Sequence, residues 1–200
     1  MTYNPGQFNV IKDFVTQEPE WLILGGPSDG DEAQCAKKLW PDIKSIGVEP
    51  VLDCISWQFA NNWPKDALLL PFALSETCGR SSINVPGDNL RTASLMSNRP
   101  GITQDVSLIT IDRLSREYGP FQKSILWLDI EGYEYEALQG ARELFKADAV
   151  DIVNVEILHR RPEATAAIEA FFAYHGFSLV HTWNDQAGIV QDRIYRRNDA

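Results

Sequence analysis

Strand-like and helix-like segments alternate along most of this chain, and that alternation limits the folds it can adopt. The apolar strand candidates are Trp21–Leu24, Ser45–Val48, Ala67–Phe72, Ser124–Ile130 and Asp151–Ile157. The helix candidates are Gly6–Thr16, Asp31–Leu39, Leu52–Asn61, Ile109–Tyr118, Tyr133–Phe145 and Pro162–His175. Strands that alternate with helices form βαβ units, whose strands lie parallel in one sheet. The sequence therefore predicts an α/β fold with a mostly parallel sheet.

Two later segments, Ser178–Trp183 and Ile189–Arg196, flank the turn-like stretch Asn184–Gly188 and are predicted to form a hairpin. The 200 residues suit a single domain with a sizeable core. Residues 1–19 are predicted to hold an N-terminal helix. Residues 76–107 are rich in Gly, Ser, Asn and Pro, and they are predicted to form a β-hairpin insertion with a mobile substrate loop. Long loops in compact domains are usually functional or disordered.

Charge and cysteine content exclude several classes of protein. The formal net charge of −10 repels phosphate backbones, so we expect no nucleic-acid partner. The cysteines Cys35, Cys54 and Cys78 are widely spaced and show no metal-ligand or disulfide pattern. The first ten residues lack the regions of a secretory signal, and no apolar run could span a bilayer. We expect a cytoplasmic protein without membrane association, and a homo-oligomer stays open.

The loop after the first strand candidate has the sequence GGPSDG over residues 25–30. Its candidate cofactor-binding residues are Gly25, Gly26, Ser28, Asp29 and Gly30. Glycines let the backbone approach a ligand closely, and the following helix offers free N–H groups. The G-x-x-x-G spacing differs from the dinucleotide fingerprint G-x-G-x-x-G. An ordinary tight turn between strand and helix is the alternative interpretation.

The second strand candidate ends in Glu49 and Pro50, about twenty residues beyond the glycine loop. A carboxylate at this point is placed to accept hydrogen bonds from both hydroxyls of a ribose. Glu49 and Pro50 are therefore candidate cofactor-binding residues. A glutamate that faces solvent at a strand end is the alternative.

The apolar run of residues 125–128 ends in Asp129, and Glu131 and Glu134 follow at the start of a helical pattern. Open α/β sheets bind ligands at the carboxyl ends of their strands. Asp129 and Glu131 are candidate catalytic bases, and burial or crowding would raise their basicity. Asp129 is also a candidate for cofactor binding. Alternatively, these acids complement a helix dipole, and Glu131 with Glu134 has the spacing of a capping box.

A further acid, Glu156, lies near the end of the fifth strand candidate, and His159 follows in the next loop. Buried glutamates are rare unless they are paired or functional. His159 is the third candidate catalytic residue, although a loop histidine is more often simply exposed. A hard divalent cation could be held by Asp129, Glu131 and Glu156. No dense D-x-D cluster is present, however, so we expect that the protein binds no metal.

The block D-I-E-G-x-E-x-x-x-L-x-G-A over residues 129–141 resembles the signature of the FkbM family of S-adenosylmethionine-dependent methyltransferases. The resemblance extends from Trp21 to Arg196 and is sharpest there, in residues 110–114 and in residues 153–157. It implies a class I methyltransferase fold, a Rossmann-like doubly wound sheet in three αβα layers with a C-terminal antiparallel hairpin. It also places Ala73 and Leu74 against the adenine ring. Leu24 stands where the family carries an acid, and Asp29 is a candidate substitute.

The resemblance implies an O-methyltransferase that uses S-adenosylmethionine to methylate a hydroxyl of a sugar or another small molecule. One alternative is a nucleotide- or dinucleotide-binding enzyme on a Rossmann-like sheet. The other is a non-catalytic binding module that kept the fold, which Leu24 in place of the acid would suit.

Overall fold

The computed structural model describes residues 6–27, 29–87, 90–96, 100–158, 161–184 and 190–199. Its strands are β1 (Trp21–Gly25), β2 (Lys44–Val48), β3 (Leu68–Leu70), β4 (Phe72–Leu74), β5 (Gly79–Pro86), β6 (Gly101–Ile109), β7 (Ser124–Leu128), β8 (Val150–Leu158), β9 (Phe177–Asn184) and β10 (Val190–Arg197). Its α-helices are α1 (Gly6–Phe14), α2 (Asp31–Leu39), α3 (Leu52–Asn61), α4 (Ile111–Tyr118), α5 (Glu134–Gln139), α6 (Arg142–Lys146) and α7 (Pro162–Tyr174). A short 3₁₀ helix spans Leu90–Thr92.

Seven strands form one twisted sheet in the order β3-β2-β1-β7-β8-β10-β9. The neighbouring pairs from β3 to β8 are parallel, whereas β10 runs antiparallel to both β8 and β9. The order reverses direction between β1 and β7, which makes this the topological switch point of the sheet. The predicted α/β class, the mostly parallel sheet and the C-terminal hairpin are confirmed.

Side chains on β7 alternate between two apolar layers, so both faces of the sheet are buried. Ile125 and Trp127 pack in the cluster beneath α1 and α2, whereas Leu126 and Leu128 pack with α4 to α7. Phe8 of α1 stacks on Trp127 with 5.0 Å between ring centroids. Strands of a sheet that is covered on both faces have continuous apolar sequences, and the sequence of β7 is of this kind. None of the described helices is long and apolar enough to cross a membrane.

The third predicted strand, Ala67–Phe72, is wrong as one element. Pro71 separates β3, which joins the large sheet, from β4, which joins a second sheet of order β4-β6-β5. Proline lacks the N–H that a strand interior must donate, so the ladder ends there. The strands β5 and β6 pair antiparallel, with Gly79 opposite Leu108 and Pro86 opposite Gly101, and the role of residues 76–107 as a substrate loop stays a prediction.

The predicted helix Tyr133–Phe145 is likewise two helices, α5 and α6, which meet at Gly140. A Cβ at Gly140 would lie 2.2 Å from the carbonyl oxygen of Ser75, so the backbones touch there. Asp112 stabilises the break from α4. Its backbone N–H donates to the Gly140 carbonyl at 2.8 Å, and its carboxylate accepts from the N–H groups of Glu143 and Leu144 at 3.1 and 2.9 Å. Asp112 therefore caps the N-terminus of α6.

Candidate functional site

A cavity of about 510 Å³, including the space open to solvent, lies at the carboxyl edge of the large sheet. Its predicted lining residues are Gly26, Glu49, Pro50, Ala73, Leu74, Asp129 and Glu131. The structure thus brings together, around one cavity, predicted residues from four separate segments of the chain.

The register of three strands explains this convergence. Gly25, the last residue of β1, pairs with Val48 of β2 on one side and with Leu128 of β7 on the other. The loops that follow these strands consequently start side by side. Because β1 and β7 flank the switch point, the cavity opens where doubly wound sheets place their ligands.

Gly26 supports the close packing of the first loop on the end of β7. Its φ is +72°, and a Cβ there would lie 2.0 Å from the carbonyl oxygen of Asp129. Its N–H donates to the Val48 carbonyl at 3.0 Å. No L side chain fits this position without moving backbone, so glycine is required.

The other loop candidates lie outside the cavity lining. At Gly25 a Cβ would lie 2.7 Å from Leu74 Cδ1, and Gly30 has φ +74° in a turn onto the Pro27 carbonyl. The carbonyl of Asp29 accepts from Asn62 Nδ2 at 3.1 Å. Gly25, Asp29 and Gly30 therefore hold the loop in place, and their roles toward a cofactor stay predictions. Ser28 lies outside the described residues.

Leu24 does not face the cavity. It is fully buried in the apolar cluster that includes Trp127 and Trp40. Its neighbours across the ladder are Gly47 and Trp127. An acid here would enter an apolar layer without a described cation beside it, so leucine suits the surrounding core.

Glu49 is 5 % exposed, and its Oε1 accepts a hydrogen bond from the Val51 N–H at 2.8 Å. Burial raises the pKa of Glu49 to about 7, while the Val51 N–H acts in the opposite direction. The hydrogen bond fixes the side chain at the cavity wall beside Pro50. A buried, oriented carboxylate at this position can accept from vicinal hydroxyls, as the sequence predicts.

Residues of the insertion line one wall of the cavity. The sequence did not indicate which of them would do so. Ile83, Leu90, Ala93, Ser94 and Leu95 line its outer wall. The Ser94 hydroxyl donates to the Glu131 carbonyl at 2.9 Å and accepts from the Met96 N–H at 3.1 Å. The first bond ties the insertion to the loop after β7, and the second orients the Ser94 hydroxyl within the insertion. A single serine in a polar segment carries no signal that would have revealed this.

Three predicted acids meet beside the cavity. One carboxylate oxygen from each of Asp129, Glu131 and Glu156 lies within 4.8 Å of those of the other two. Burial, and then the charges of Asp192 and Glu131, raise the pKa of the Asp129 carboxyl well above its ordinary value. Burial and the charge of Asp129 likewise raise the pKa of Glu156. The carboxylates thus favour a bound proton or a bound cation.

Glu134 shapes the loop between these acids. Its buried carboxylate accepts from the N–H groups of Ile130 and Gly132, each at 3.0 Å. Within this turn, Glu131 and Gly132 have positive φ values of +58° and +99°. Burial raises the pKa of Glu134 to about 7. The capping box with Glu131 is absent from α5, whose N-cap is Tyr133 without a side-chain bond.

Two further acids near the cluster were missed in the sequence. Asp192 lies opposite Glu156 in the β8–β10 ladder, and its Oδ2 accepts from Gln7 Nε2 at 3.0 Å. Glu32, in the first turn of α2, is close enough to raise the pKa of Asp129. Their proximity depends on strand order and helix placement, which the local sequence pattern does not reveal.

A second cavity of about 200 Å³, including the space open to solvent, lies beside the Glu134 loop. Its walls include Glu134, Glu156, Arg161 and Thr165. Arg161 lies 3.5 Å from Glu136 Oε1 and donates to the Gly132 carbonyl. Glu156 therefore lines the second cavity, and its carboxylate lies within 4.8 Å of those of Asp129 and Glu131, which line the first. His159, the third catalytic candidate, lies outside the described residues.

The fold resembles those of solved methyltransferases. A protein from Pyrococcus horikoshii assigned as an RNA methyltransferase is 15% identical, with a TM-score of 0.52, 96% of this chain and 79% of that chain covered. Precorrin-6y C5,15-methyltransferase from Geobacter metallireducens is 10% identical, with a TM-score of 0.58 and 99% and 90% covered. The plantazolicin methyltransferase BamL, solved with SAH, is 9% identical, with a TM-score of 0.56 and 97% and 84% covered. At these identities the likeness establishes the class I methyltransferase fold alone.

No curated protein matches the chain in sequence. A family model described as the methyltransferase FkbM domain, however, matches residues 26–179. This range begins at the glycine of the first loop and ends in β9, so it contains every lining residue discussed above. The chain therefore belongs to the FkbM methyltransferase family, which confirms the predicted family, the enzyme class and S-adenosylmethionine as the cofactor.

Proposed function

We propose that this protein is an O-methyltransferase that transfers a methyl group to a hydroxyl of a small molecule, with saccharides as the first candidates. The observation that carries this proposal is the shared cavity edge. Glu49, a buried acceptor for vicinal hydroxyls, lies on one side, and the carboxylates of Asp129 and Glu131 lie on the other. This arrangement would hold a ribose beside Glu49 and a reacting hydroxyl beside Asp129 and Glu131.

The residues present fit the cofactor. Ala73, Leu74 and Ile83 form an apolar wall against which a flat aromatic ring can pack. Glu49 is ordered by Val51 before any ligand binds, so little side-chain entropy is lost on binding. S-adenosylmethionine, when bound, supplies an electrophilic methyl group on a positively charged sulfur. The acidic neighbourhood of Asp129 favours that positive charge.

The acids beside the cavity suit the removal of a proton from a hydroxyl. The acceptor oxygen must lose its proton to a base as it forms its bond to the methyl carbon, and the electron pair of the broken bond stays on sulfur. Asp129 and Glu131 are the proposed bases, and the raised pKa of Asp129 makes its carboxylate more basic than an exposed one. His159 stays a proposed participant from the neighbouring loop.

The second cavity is the proposed site of the acceptor. Its polar groups, Glu156, Arg161 and Thr165, offer both acceptors and donors of hydrogen bonds, as a polyhydroxylated ligand requires. A nucleic-acid acceptor is disfavoured, because the net charge is −10 and the groups that perturb Glu156 are acidic. The RNA methyltransferase among the similar structures makes this point worth testing directly.

Calorimetric titration with S-adenosylmethionine and S-adenosylhomocysteine is the first test. We expect micromolar binding, and Glu49→Ala should weaken it tenfold or more, as loss of a charge-assisted hydrogen bond implies. Transfer of radiolabelled methyl from S-adenosylmethionine is then measured with sugars, hydroxylated metabolites and transfer RNA as acceptors. Labelling of RNA and of no small hydroxylated compound would refute the proposed substrate class.

Asp129→Asn tests the proposed base. The amide keeps the shape of the side chain but cannot take a proton, so kcat should fall at least 100-fold. The affinity for S-adenosylhomocysteine, whose sulfur carries no charge, should change less than that for S-adenosylmethionine. Glu76→Gln, the same kind of change on an exposed residue at the start of the insertion, is the control. Unchanged turnover in Asp129→Asn would assign the base to another group.

A further inference from the structure

The three carboxylates of Asp129, Glu131 and Glu156 form a compact cluster without a described cation. Asp129 and Glu131 come from the loop after β7, and Glu156 comes from the adjacent strand β8. Their nearest oxygens all lie within 4.8 Å of one another. The charged groups that act on Glu156 are Asp129, Glu131, Glu134 and Asp192, all of them acidic. Arg161 instead lies near Glu136 and Glu163.

Glu156 provides a second, independent observation. Its side chain is 7 % exposed, and its Oε2 has no hydrogen-bond partner among the described residues. A buried carboxylate oxygen without a donor is costly to the fold, so such atoms are usually satisfied by a proton, a water or an ion. The unpartnered oxygen belongs to the member of the cluster that lines the second cavity.

We propose that Asp129, Glu131 and Glu156 together bind one hard divalent cation. All three ligands are carboxylate oxygens, the donors that Mg²⁺, Mn²⁺ and Ca²⁺ prefer. Ca²⁺–oxygen distances of roughly 2.3–2.6 Å allow ligands on opposite sides to lie about 5 Å apart. Mg²⁺, at about 2.0–2.1 Å, allows about 4.2 Å. The cluster therefore accommodates Ca²⁺ as it stands, and the smaller ions after a contraction of less than about 1 Å.

The position of the cluster gives the ion a function. Asp129 and Glu131 line the cavity proposed for the cofactor, and Glu156 lines the cavity proposed for the acceptor. An ion held between them would orient the acceptor oxygen and lower its pKa, which eases the transfer of its proton to the oxygen of Asp129 or Glu131 that does not ligate the ion. This role rests on the proposed methyl transfer, whereas the cation site itself rests only on the carboxylate geometry.

The test is a titration of the purified, chelator-treated chain with Mn²⁺, followed by electron paramagnetic resonance of the free ion. We expect one bound ion per chain and competition by Mg²⁺ and Ca²⁺, which then identifies the preferred size. Glu156→Gln should weaken Mn²⁺ binding at least tenfold. No binding at millimolar Mn²⁺ would overturn the proposal.

Asp192→Asn is the matched control, because it also neutralises a largely buried acid in the same pair of strands without removing a ligand. It should weaken Mn²⁺ binding less than about threefold. Equal losses in Asp192→Asn and Glu156→Gln would mean that the ion responds only to the local field, and the site would be rejected. Circular dichroism checks that both variants are folded.

Binding of S-adenosylhomocysteine without added cation separates this proposal from the proposed function. Binding of S-adenosylhomocysteine without any Mn²⁺ binding refutes the cation site and leaves the methyltransferase site intact. Mn²⁺ binding that depends on Glu156, without binding of either cofactor form, supports the cation site and refutes the proposed function.

Discussion

Replacement of Glu49 by Gln should make the free energy of unfolding of this protein less dependent on pH. The carboxyl has an ordinary pKa of 4.5, and burial raises it to about 7 in the folded state. Between these values the folded chain holds a proton that the unfolded chain has lost. The sign follows from linkage: this group stabilises the fold fully below pH 4.5, and its contribution is lost as the pH rises through 7.

The size of the effect follows from the same two pKa values. Their difference corresponds to about 3 kcal/mol, at about 1.36 kcal/mol per pH unit, and roughly 2.5 kcal/mol of it falls between pH 5 and pH 8. Gln stays neutral at every pH, and its carbonyl oxygen can still accept from the Val51 N–H. The variant should therefore gain stability relative to the wild type by about this amount as the pH rises.

Urea denaturation of the cofactor-free protein at pH 5, 6, 7 and 8 measures this difference. Other ionisable groups are common to both chains and largely cancel in the comparison. Glu76→Gln, an exposed glutamate, serves as the control and should follow the wild type at each pH. A difference between Glu49→Gln and wild type that stays constant within about 0.5 kcal/mol from pH 5 to pH 8 would refute the assigned burial of Glu49.

Three other substitutions test the architecture around the site. Gly26→Ala should destabilise the fold by about 2 kcal/mol or more and abolish cofactor binding, because the added Cβ overlaps the Asp129 carbonyl. Thermal denaturation and calorimetry measure these two effects, and a variant with unchanged stability and affinity would refute the close approach. Ser94→Ala should speed amide hydrogen exchange in residues 90–96, since two hydrogen bonds are lost, with unchanged exchange contradicting the proposed anchor. Asp112→Ala should cost about 1–2 kcal/mol in urea denaturation through the lost cap of α6, with cofactor affinity unchanged; a loss of affinity would show that Asp112 does more than cap.

The strands of the large sheet could be predicted because their apolar runs are short, continuous and bounded by turn residues. The breaks within the predicted strand and the predicted helix could not be predicted in this way. Pro71 lies within an apolar run that continues on both sides of it. Only the structure shows that the residues before Pro71 join one sheet and the residues after it join another. The helix break at Gly140 depends on contact with the Ser75 carbonyl, 65 positions away. Local periodicity holds no information on such contacts.

The residues of the candidate site that follow the end of a strand could be predicted from the sequence, and the others could not. Glu49 and Asp129 each follow a recognisable apolar strand, and their strands are neighbours of β1. Ser94 and Asp192 reach the site from the insertion and from the last strand, and neither has a local pattern that marks it. The sequence therefore indicates the floor of the cavity, whereas its cover and the far acids require the tertiary structure.

The acidic cluster also bears on stability. If Asp129, Glu131 and Glu156 were all ionised, like charges would lie close together beside an apolar sheet, so the cofactor-free fold is less stable where these acids lose their protons. Such an arrangement is rarely favourable for folding alone, and perturbed acids cluster at functional sites. Leu24 makes the contrast clear, because the fold accepts an apolar residue where the family carries an acid, within an intact core. Acidic side chains are thus absent from the end of β1 and concentrated at the ends of β7 and β8, where the reacting hydroxyl would lie.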